Sequence, residues 1–160
     1  MGRQRIKSID WAYIAGFLDG DGSIMVQIKN RYDTKTGWRL MFTICFYQDT
    51  RHKEPLQWIK NKVGIGYLSN RKDKITELRI NGQKQNLLIL RNLKPFVKFK
   101  KKRVNIVLKI LSLIAEKRFA QLNKKTRLKI ADLICDLRNE NYLSSKRKYQ
   151  NEELRKILGF

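Results

Sequence analysis

Apolar and polar residues recur with two different spacings along the first half of the chain. Asp10–Leu18 has the spacing of a helix, and Ser8 or Asp10 can cap its free backbone amides. Strict alternation then predicts two β-strands, Ser23–Arg31 and a second one after the polar loop Tyr32–Gly37. The residues predicted to point inward from this hairpin are Ile24, Val26, Ile28, Leu40, Phe42, Ile44 and Phe46.

The same succession of one helix and two strands is predicted a second time. A helical pattern ends at Gly64, a residue typical of helix C-caps. Ile65–Arg71 and Lys74–Ile80 then predict two strands, in which Leu78 and Ile80 point inward. A short apolar helix is predicted before Pro95. The order α-β-β-α-β-β-α predicts an α+β fold, one four-stranded antiparallel sheet with helices on one face.

Two further helices are predicted in the C-terminal third. Val104–Ala115 is apolar nearly all round, which predicts a buried helix, and Thr126–Arg138 carries an apolar stripe at helical spacing. The length of 160 residues fits one globular domain with a sizeable core.

The composition adds a strong basic bias. The chain holds 36 Lys and Arg against 14 Asp and Glu, a formal charge of +22, which is typical of proteins that bind polyanions, nucleic acid first among them. Two cysteines are too few for a disulfide framework or a thiolate zinc site, and no apolar run reaches the roughly 20 residues of a membrane span. We therefore expect an intracellular protein without a membrane partner.

Positive charge is concentrated in Lys94–Arg103, which contains no acidic residue. Phe96, Val97 and Phe99 interrupt this run and are predicted to be buried, which argues against a disordered tail. We expect the segment to contact phosphates, and the alternative is a solvated edge.

The sheet face turned away from the helices is predicted to be polar and cationic. Half-covered sheets normally present polar residues to water, so polarity alone indicates nothing. The bias toward Arg, Gln and hydroxyl side chains, which pair with base edges and phosphates, favours nucleic-acid binding over a plain wet face. The candidate contact residues are Gln27, Lys29, Arg31, Arg39, Thr43, Cys45, Ser69, Arg71, Glu77 and Arg79, together with Lys98 outside the sheet.

The string Ile14–Gly22 (IAGFLDGDG) is the most specific in the chain. Gly16 and Gly20 share a helix face, and because glycine inside a helix costs roughly 1 kcal/mol relative to alanine, close approach of another helix is one reason for them. Asp19 and Asp21 lie near the negative end of the helix dipole, where a bound divalent cation would offset the cost. A helix packed on its two-fold mate would form a shared acidic metal site. The alternative is an ordinary Asp-Gly turn.

This string resembles the motif of the LAGLIDADG homing endonucleases, which it matches at Ala15, Gly16, Asp19, Asp21 and Gly22. A single copy of the motif is similar to the homodimeric, intron-encoded branch of that family rather than to its two-motif monomers. The predicted element order is also the family's. The resemblance implies one endonuclease domain over residues 1–160, with a core of about 8–118 and a C-terminal helical extension of about 119–160.

The resemblance implies roles for residues of the motif helix. Asp21 is similar to the family's metal-binding aspartate, and the backbone carbonyl of Gly20 to its companion ligand. The implied metal is Mg²⁺, with Mn²⁺ able to substitute, and it neutralises scissile phosphates and activates water. Asp19 is expected to have a structural hydrogen-bonding role. The implied dimer interface contains Tyr13, Gly16, Phe17 and Gly20.

Three further catalytic residues are implied outside the motif. Gln48 resembles the glutamine that orders active-site water. Lys100 resembles the lysine that polarises this water or stabilises developing charge, with Lys98 as its nearest competitor. His52 stands where close relatives carry arginine, so charge stabilisation there would depend on pH; alternatively Arg51 takes the role.

The function implied by the resemblance is site-specific cleavage of double-stranded DNA by a homodimer. Two-fold symmetry predicts a long pseudo-palindromic target, and the family's products carry 3′ overhangs. The alternatives are an RNA-binding intron maturase and a non-cleaving nucleic-acid binder. The expected location is an archaeal or bacterial cytoplasm, or an organelle if the gene is organelle-encoded.

Overall fold

The computed structural model describes residues 6–33, 36–115, 119–140 and 150–159, and the chain divides into two compact units between Lys101 and Lys102. In the first unit the elements are α1 (Ser8–Asp21), β1 (Gly22–Asn30), β2 (Trp38–Asp49), a 3₁₀ turn (Thr50–His52), α2 (Glu54–Val63), β3 (Tyr67–Asn70), β4 (Ile75–Asn81) and α3 (Gln83–Leu93). They are followed by α4 (Lys101–Leu113), a 3₁₀ turn (Phe119–Gln121), α5 (Lys124–Asn139) and α6 (Asn151–Gly159).

The four strands form one antiparallel sheet in the order β1-β2-β4-β3. Gly22 at the start of β1 lies opposite Phe46 on β2, and Ile44 lies opposite Ile80 on β4. The predicted element order and the α+β class are therefore confirmed.

The core of the first unit lies between one sheet face and the helices α1, α2 and α3. Alternate strand residues fill it because successive side chains of a strand point to opposite faces. Asn86 of α3 is fully buried and donates from Nδ2 to the carbonyls of Ile80 at 2.9 Å and Gly82 at 2.8 Å. Fully or almost fully buried residues of this core include Ile14, Leu18, Ile24, Phe42, Ile44, Phe46, Leu56, Ile59, Leu78, Ile80, Ile89 and Leu90.

The predicted C-cap of α2 is confirmed, whereas the predicted N-cap of α1 is wrong. Gly64 caps α2 with a left-handed backbone, φ 66°, as predicted. The prediction that Ser8 or Asp10 caps α1 is wrong: Lys7 is the N-cap residue and gives no side-chain cap. Asp10 instead accepts a hydrogen bond from Lys62 of α2 at 2.9 Å, and this contact lowers the pKa of Asp10. The first turn of α1 is therefore tied to α2.

In the second unit, the side chain of Asn123 caps α5 by accepting from the amide of Thr126 at 2.8 Å. Helix α4 is amphipathic and not buried all round as predicted, because Asn105, Lys109 and Ser112 are exposed on it. No helix in the described parts of the chain is both long and apolar enough to cross a membrane.

Candidate functional site

The carboxylate of Asp19, in the last turn of α1, binds the backbone that leads into α4. Its Oδ2 accepts from the amides of Lys98 at 2.6 Å and Phe99 at 3.1 Å, and its Oδ1 from the amide of Lys100 at 2.9 Å. A carboxylate that receives several backbone N–H groups fixes the chain segment carrying them. The hydrogen-bonding role predicted for Asp19 is thus present in the structure.

The ammonium of Lys100 lies at the end of α1. Its Nζ donates to the backbone carbonyl of Asp19 at 2.5 Å, so a positive charge lies at the C-terminal carbonyls of this helix. Lys98 is exposed, and its contact with Asp19 is made by its backbone amide. Of Lys98 and Lys100, it is therefore Lys100 whose ammonium lies beside the candidate metal ligands, since it contacts the carbonyl of Asp19, the residue before Gly20.

Asp21 is the last residue of α1 and is exposed. No described residue donates a hydrogen bond to its carboxylate, although the chain carries an excess of positive charge. The described part of the chain also holds no group of three His, Cys, Asp or Glu residues that could bind a metal ion. Asp21 is thus a carboxylate left open to a partner from outside this chain.

Gln48 lies at the same end of the sheet as the end of α1. It follows Phe46 by two residues, and Phe46 pairs with Gly22, the residue directly after Asp21. The alternation of β2 places Gln48 on the helix-covered face with Phe46. Its side-chain Oε1 accepts from the amide of Asp49 at 2.8 Å, which leaves its side-chain NH₂ group as a donor.

Arg51 and His52 differ in how they are held. Arg51 makes two parallel hydrogen bonds to Asp49, Nε to Oδ1 at 3.0 Å and Nη2 to Oδ2 at 2.9 Å. This guanidinium, together with the Arg51 backbone amide, holds the pKa of Asp49 well below its ordinary value. His52 is exposed at the end of the 3₁₀ turn. In this structure Arg51 is committed to Asp49, and His52 presents its ring to solvent.

The open sheet face carries the predicted contact residues, with three corrections. Thr43, Cys45 and Glu77 are predicted to be exposed, but they are 1%, 0% and 6% exposed. They lie on the two central strands, where neighbouring side chains cover them; Thr43, for example, donates to Asn81 at 2.7 Å. The other predicted residues of this face are exposed or half-buried, namely Gln27, Lys29, Arg39, Ser69, Arg71 and Arg79.

Arg31 lies just outside the sheet, since β1 ends at Asn30 and not at Arg31 as predicted. Its Nε donates to Asp33 Oδ1 at 2.6 Å, and its Nη2 contacts the other oxygen of the same carboxylate. The pairing lowers the pKa of Asp33 to about 2. Arg31 is therefore held at the tip of the β1–β2 hairpin.

Aromatic residues on exposed positions are the part of this surface that sequence reasoning missed. Tyr32, beside Arg31, is 100% exposed, and Tyr67, opposite Arg79 on β3, is 48% exposed. Tyr67 could have been found from the sequence, because it alternates in β3 with Ser69, which is predicted to lie on the open face. Phe99 is 88% exposed and not buried as predicted, because its backbone is held outside the core by Asp19.

The outer face of α1 is open. A Cβ added at Gly16 or Gly20 would meet nothing within 4 Å. Tyr13 is half-exposed, and its ring packs edge-on against Trp58 with 5.3 Å between centroids. Phe17 is half-buried against Phe46. Packing among the described residues therefore gives no reason for either glycine.

The sequence model of the LAGLIDADG endonuclease family matches residues 14–110, which include the C-terminal part of α1 and the whole sheet. The chain belongs to the LAGLIDADG endonuclease family. Among similar proteins, the DNA endonuclease I-CreI of Chlamydomonas reinhardtii is 36% identical over 99 residues, which are 62% of this chain and 60% of I-CreI. The DNA endonuclease I-CvuI of Chlorella vulgaris is 28% identical over 103 residues, 64% of each chain. The match thus spans less than two thirds of either relative.

Solved structures show the same LAGLIDADG fold. A crystal structure of the homing endonuclease I-CvuI in complex with a DNA target superposes with a TM-score of 0.81 at 24% identity, covering 94% of this chain and 92% of that one. The archaeal intron-encoded homing endonuclease I-Vdi141I, complexed with DNA, gives a TM-score of 0.77 at 22% identity, with 94% of both chains covered. The fold predicted from the LAGLIDADG motif is confirmed.

Proposed function

We propose that this LAGLIDADG protein is a homing endonuclease that cuts both strands of DNA at a long pseudo-palindromic target and leaves 3′ overhangs. The observation that carries the proposal is the carboxylate of Asp21, which is exposed and has no hydrogen-bond donor among the described residues. In a chain of charge +22, a carboxylate that pairs with none of the chain's cations is available to bind a metal ion.

The active form is a homodimer joined through α1. Each glycine in a helix costs roughly 1 kcal/mol relative to alanine, and at Gly16 and Gly20 nothing in the described chain offsets that cost. Close contact between two copies of α1 offsets it, because only hydrogen atoms then separate the two backbones. The interface contains Tyr13, Gly16, Phe17 and Gly20.

The dimer would bind Mg²⁺ or Mn²⁺ through Asp21 and the carbonyl of Gly20. Both supply the oxygen donors that these ions prefer. One chain offers too few ligands, which agrees with the lack of a three-residue cluster in its described part. The second copy and the phosphates of the DNA would complete the site. When bound, the metal neutralises phosphate charge and lowers the pKa of coordinated water.

The chain's own residues would position the attacking water and receive the charge that develops on the phosphate. The amide group of Gln48 orients the water by donating a hydrogen bond. Lys100 supplies a fixed positive charge at the end of α1, where its Nζ already lies 2.5 Å from the carbonyl of Asp19. Because Arg51 is paired with Asp49, His52 is the side chain free to approach the DNA after this turn.

The open sheet face would lie in the DNA major groove. The half-buried Gln27 and the exposed Lys29 and Arg39 can donate to base edges or phosphates. Lys98 adds a phosphate contact beside the site. Two such faces, related by the two-fold axis, read the two halves of the target.

Incubation of the purified protein with a supercoiled plasmid tests this function, using a plasmid that carries the exon junction from which the intron is absent. The proposal predicts linear product in Mg²⁺ and none with chelator. A protein that binds this junction tightly and leaves it intact in Mg²⁺ is not a nuclease. If it then binds the intron RNA, the maturase alternative holds instead.

A further inference from the structure

A groove lies between the N-terminal end of α1 and the C-terminal end of α3. Its volume is about 710 Å³, within the range of roughly 300–1,000 Å³ that is typical of ligand sites. Lys7 and Trp11 line it from the side of α1, and Arg91 lines it from α3. Pro95 and Phe96, directly after α3, complete its apolar part. The described residues that line the groove thus combine ring surfaces with two cations, and none of them is acidic.

The rings of Trp11 and Phe96 are not covered by other rings. Both residues are half-buried, and neither packs against another aromatic ring of the described chain. The indole N–H of Trp11 donates to no described residue, so it is available to a ligand. Leu88, whose carbonyl accepts from Asn92 Nδ2 at 2.8 Å, is 56% exposed one turn before the groove. Apolar surface therefore continues from the groove along α3.

The cations of the groove are available to an anion. Lys7 and Arg91 are exposed, and Arg91 pairs with no described carboxylate. Asp10, the acidic residue in the first turn of α1, binds Lys62 of α2 at 2.9 Å and so does not neutralise Arg91. The groove is therefore complementary in charge to a polyanion.

The groove is separate from both surfaces that the proposed function uses. Helices α1 and α3 pack on the covered face of the sheet, so DNA on the open face would leave the groove free. Ser8 and Asp21, at the two ends of α1, are about 20 Å apart along the helix. Trp11 lies two positions before Tyr13, about 200° around the helix from it, so contact through the outer face of α1 would not cover Trp11.

Ring surfaces beside cations are what a single strand of nucleic acid requires. Its bases have open faces that stack on aromatic side chains, and its phosphates bind Lys and Arg. In a duplex the base faces are stacked on each other and are not available to Trp11 or Phe96.

We propose that this groove binds single-stranded nucleic acid. A base packs against Trp11 and Phe96, and phosphates contact Lys7 and Arg91. The inference goes beyond the proposed function, which makes no use of this groove. RNA and DNA single strands share the chemistry that the groove recognises, and the experiment compares them.

The test titrates fluorescently labelled strands of about 12 nucleotides, oligouridine RNA and oligothymidine DNA, into the protein in chelator. Four proteins are compared: the wild type, Trp11→Leu, Arg91→Glu and Lys109→Glu. Leu keeps an apolar side chain at position 11 but removes the planar ring. Lys109→Glu is the matched control for Arg91→Glu, because Lys109 is exposed on α4 and the change in charge is the same. Thermal midpoints are measured for all four proteins.

The inference predicts that Trp11→Leu and Arg91→Glu each weaken binding by about tenfold. Lys109→Glu should stay within about twofold of the wild type in about 0.1 M salt, where distant charges are screened. Equal binding by all four proteins would overturn the inference, and so would an equal loss in Lys109→Glu, which would mean that net charge alone attracts the strand. If Trp11→Leu fails to fold, the exposed Arg91 still decides. Tighter binding of either strand supports the inference and identifies its natural source.

The titration is repeated with the exon-junction duplex at saturating concentration. The inference predicts a complex that contains both the duplex and the single strand, with the affinity for the strand unchanged. Displacement of the strand by the duplex would overturn it, because the two would then share one surface. A duplex that is bound but not cut in Mg²⁺ overturns the proposed nuclease function only, since the titrations without duplex still decide the role of the groove.

Discussion

Replacement of Asp19 by alanine should destabilise the protein by detaching the segment before α4. The carboxylate accepts three backbone hydrogen bonds, at 2.6, 3.1 and 2.9 Å. Loss of a helix-capping acceptor costs about 0.5–2 kcal/mol, and water can reach this half-exposed site to replace part of the loss. We therefore expect about 2 kcal/mol for Asp19→Ala, and roughly half of that for Asp19→Asn, which retains one acceptor oxygen.

Thermal unfolding at a fixed protein concentration measures this effect, since dimerisation makes the midpoint depend on concentration. For a chain of this size, about 2 kcal/mol corresponds to a midpoint lower by roughly 4–8 °C. Asp132→Ala serves as the control, because Asp132 forms an exposed ion pair with Arg155, and such pairs contribute about 0–1 kcal/mol. If the thermal midpoint of Asp19→Ala lies as close to the wild-type midpoint as that of Asp132→Ala does, the three hydrogen bonds of Asp19 do not stabilise the protein and the reasoning is refuted.

Two further predictions concern the outer face of α1 and the strand end. Gly16→Phe should abolish the dimer in sedimentation while the monomer stays folded, because a Cβ there meets nothing within 4 Å; an unchanged dimer mass would contradict the packing. The pKa of Asp49 is depressed from 3.8 by Arg51, so its stabilising contribution is present above pH 3.8 and is lost as the pH falls below it. The midpoint of Asp49→Asn should therefore fall less than that of the wild type on acidification below this value, and parallel curves would refute the ion pair.

Most of the first unit could be predicted from its hydrophobic pattern. Alternation in β1 and β2 identifies inward residues such as Ile24 and Ile44, because successive side chains of a strand point to opposite faces and only one face of this sheet is covered by helices. The position of Gly64 identifies the end of α2, since its left-handed backbone suits glycine. Asp21 stands out because acidic residues are rare in this chain.

The remainder depends on specific side-chain contacts, which the spacing of apolar residues does not encode. Phe99 fits an apolar pattern but is exposed, because Asp19, 80 positions earlier, binds its amide. Glu77 fits the polar face, yet two arginines cover it. The N-cap of α1 is wrongly assigned because Lys7 takes that position, and the carboxylate of Asp10 binds the ammonium of Lys62 on α2. For Phe99 and Asp10, a hydrogen bond between residues far apart in the sequence decides between two local possibilities.

The most direct test of the account is cleavage of the exon-junction duplex in Mg²⁺ by Asp21→Asn beside the wild-type protein, with binding measured on the same DNA. The account predicts that the wild-type protein cuts both strands. It predicts that Asp21→Asn cuts neither but binds at least as tightly, since one negative charge near the phosphates is removed. Double-strand cleavage by Asp21→Asn at the wild-type rate would show that the catalytic centre does not lie at the end of α1.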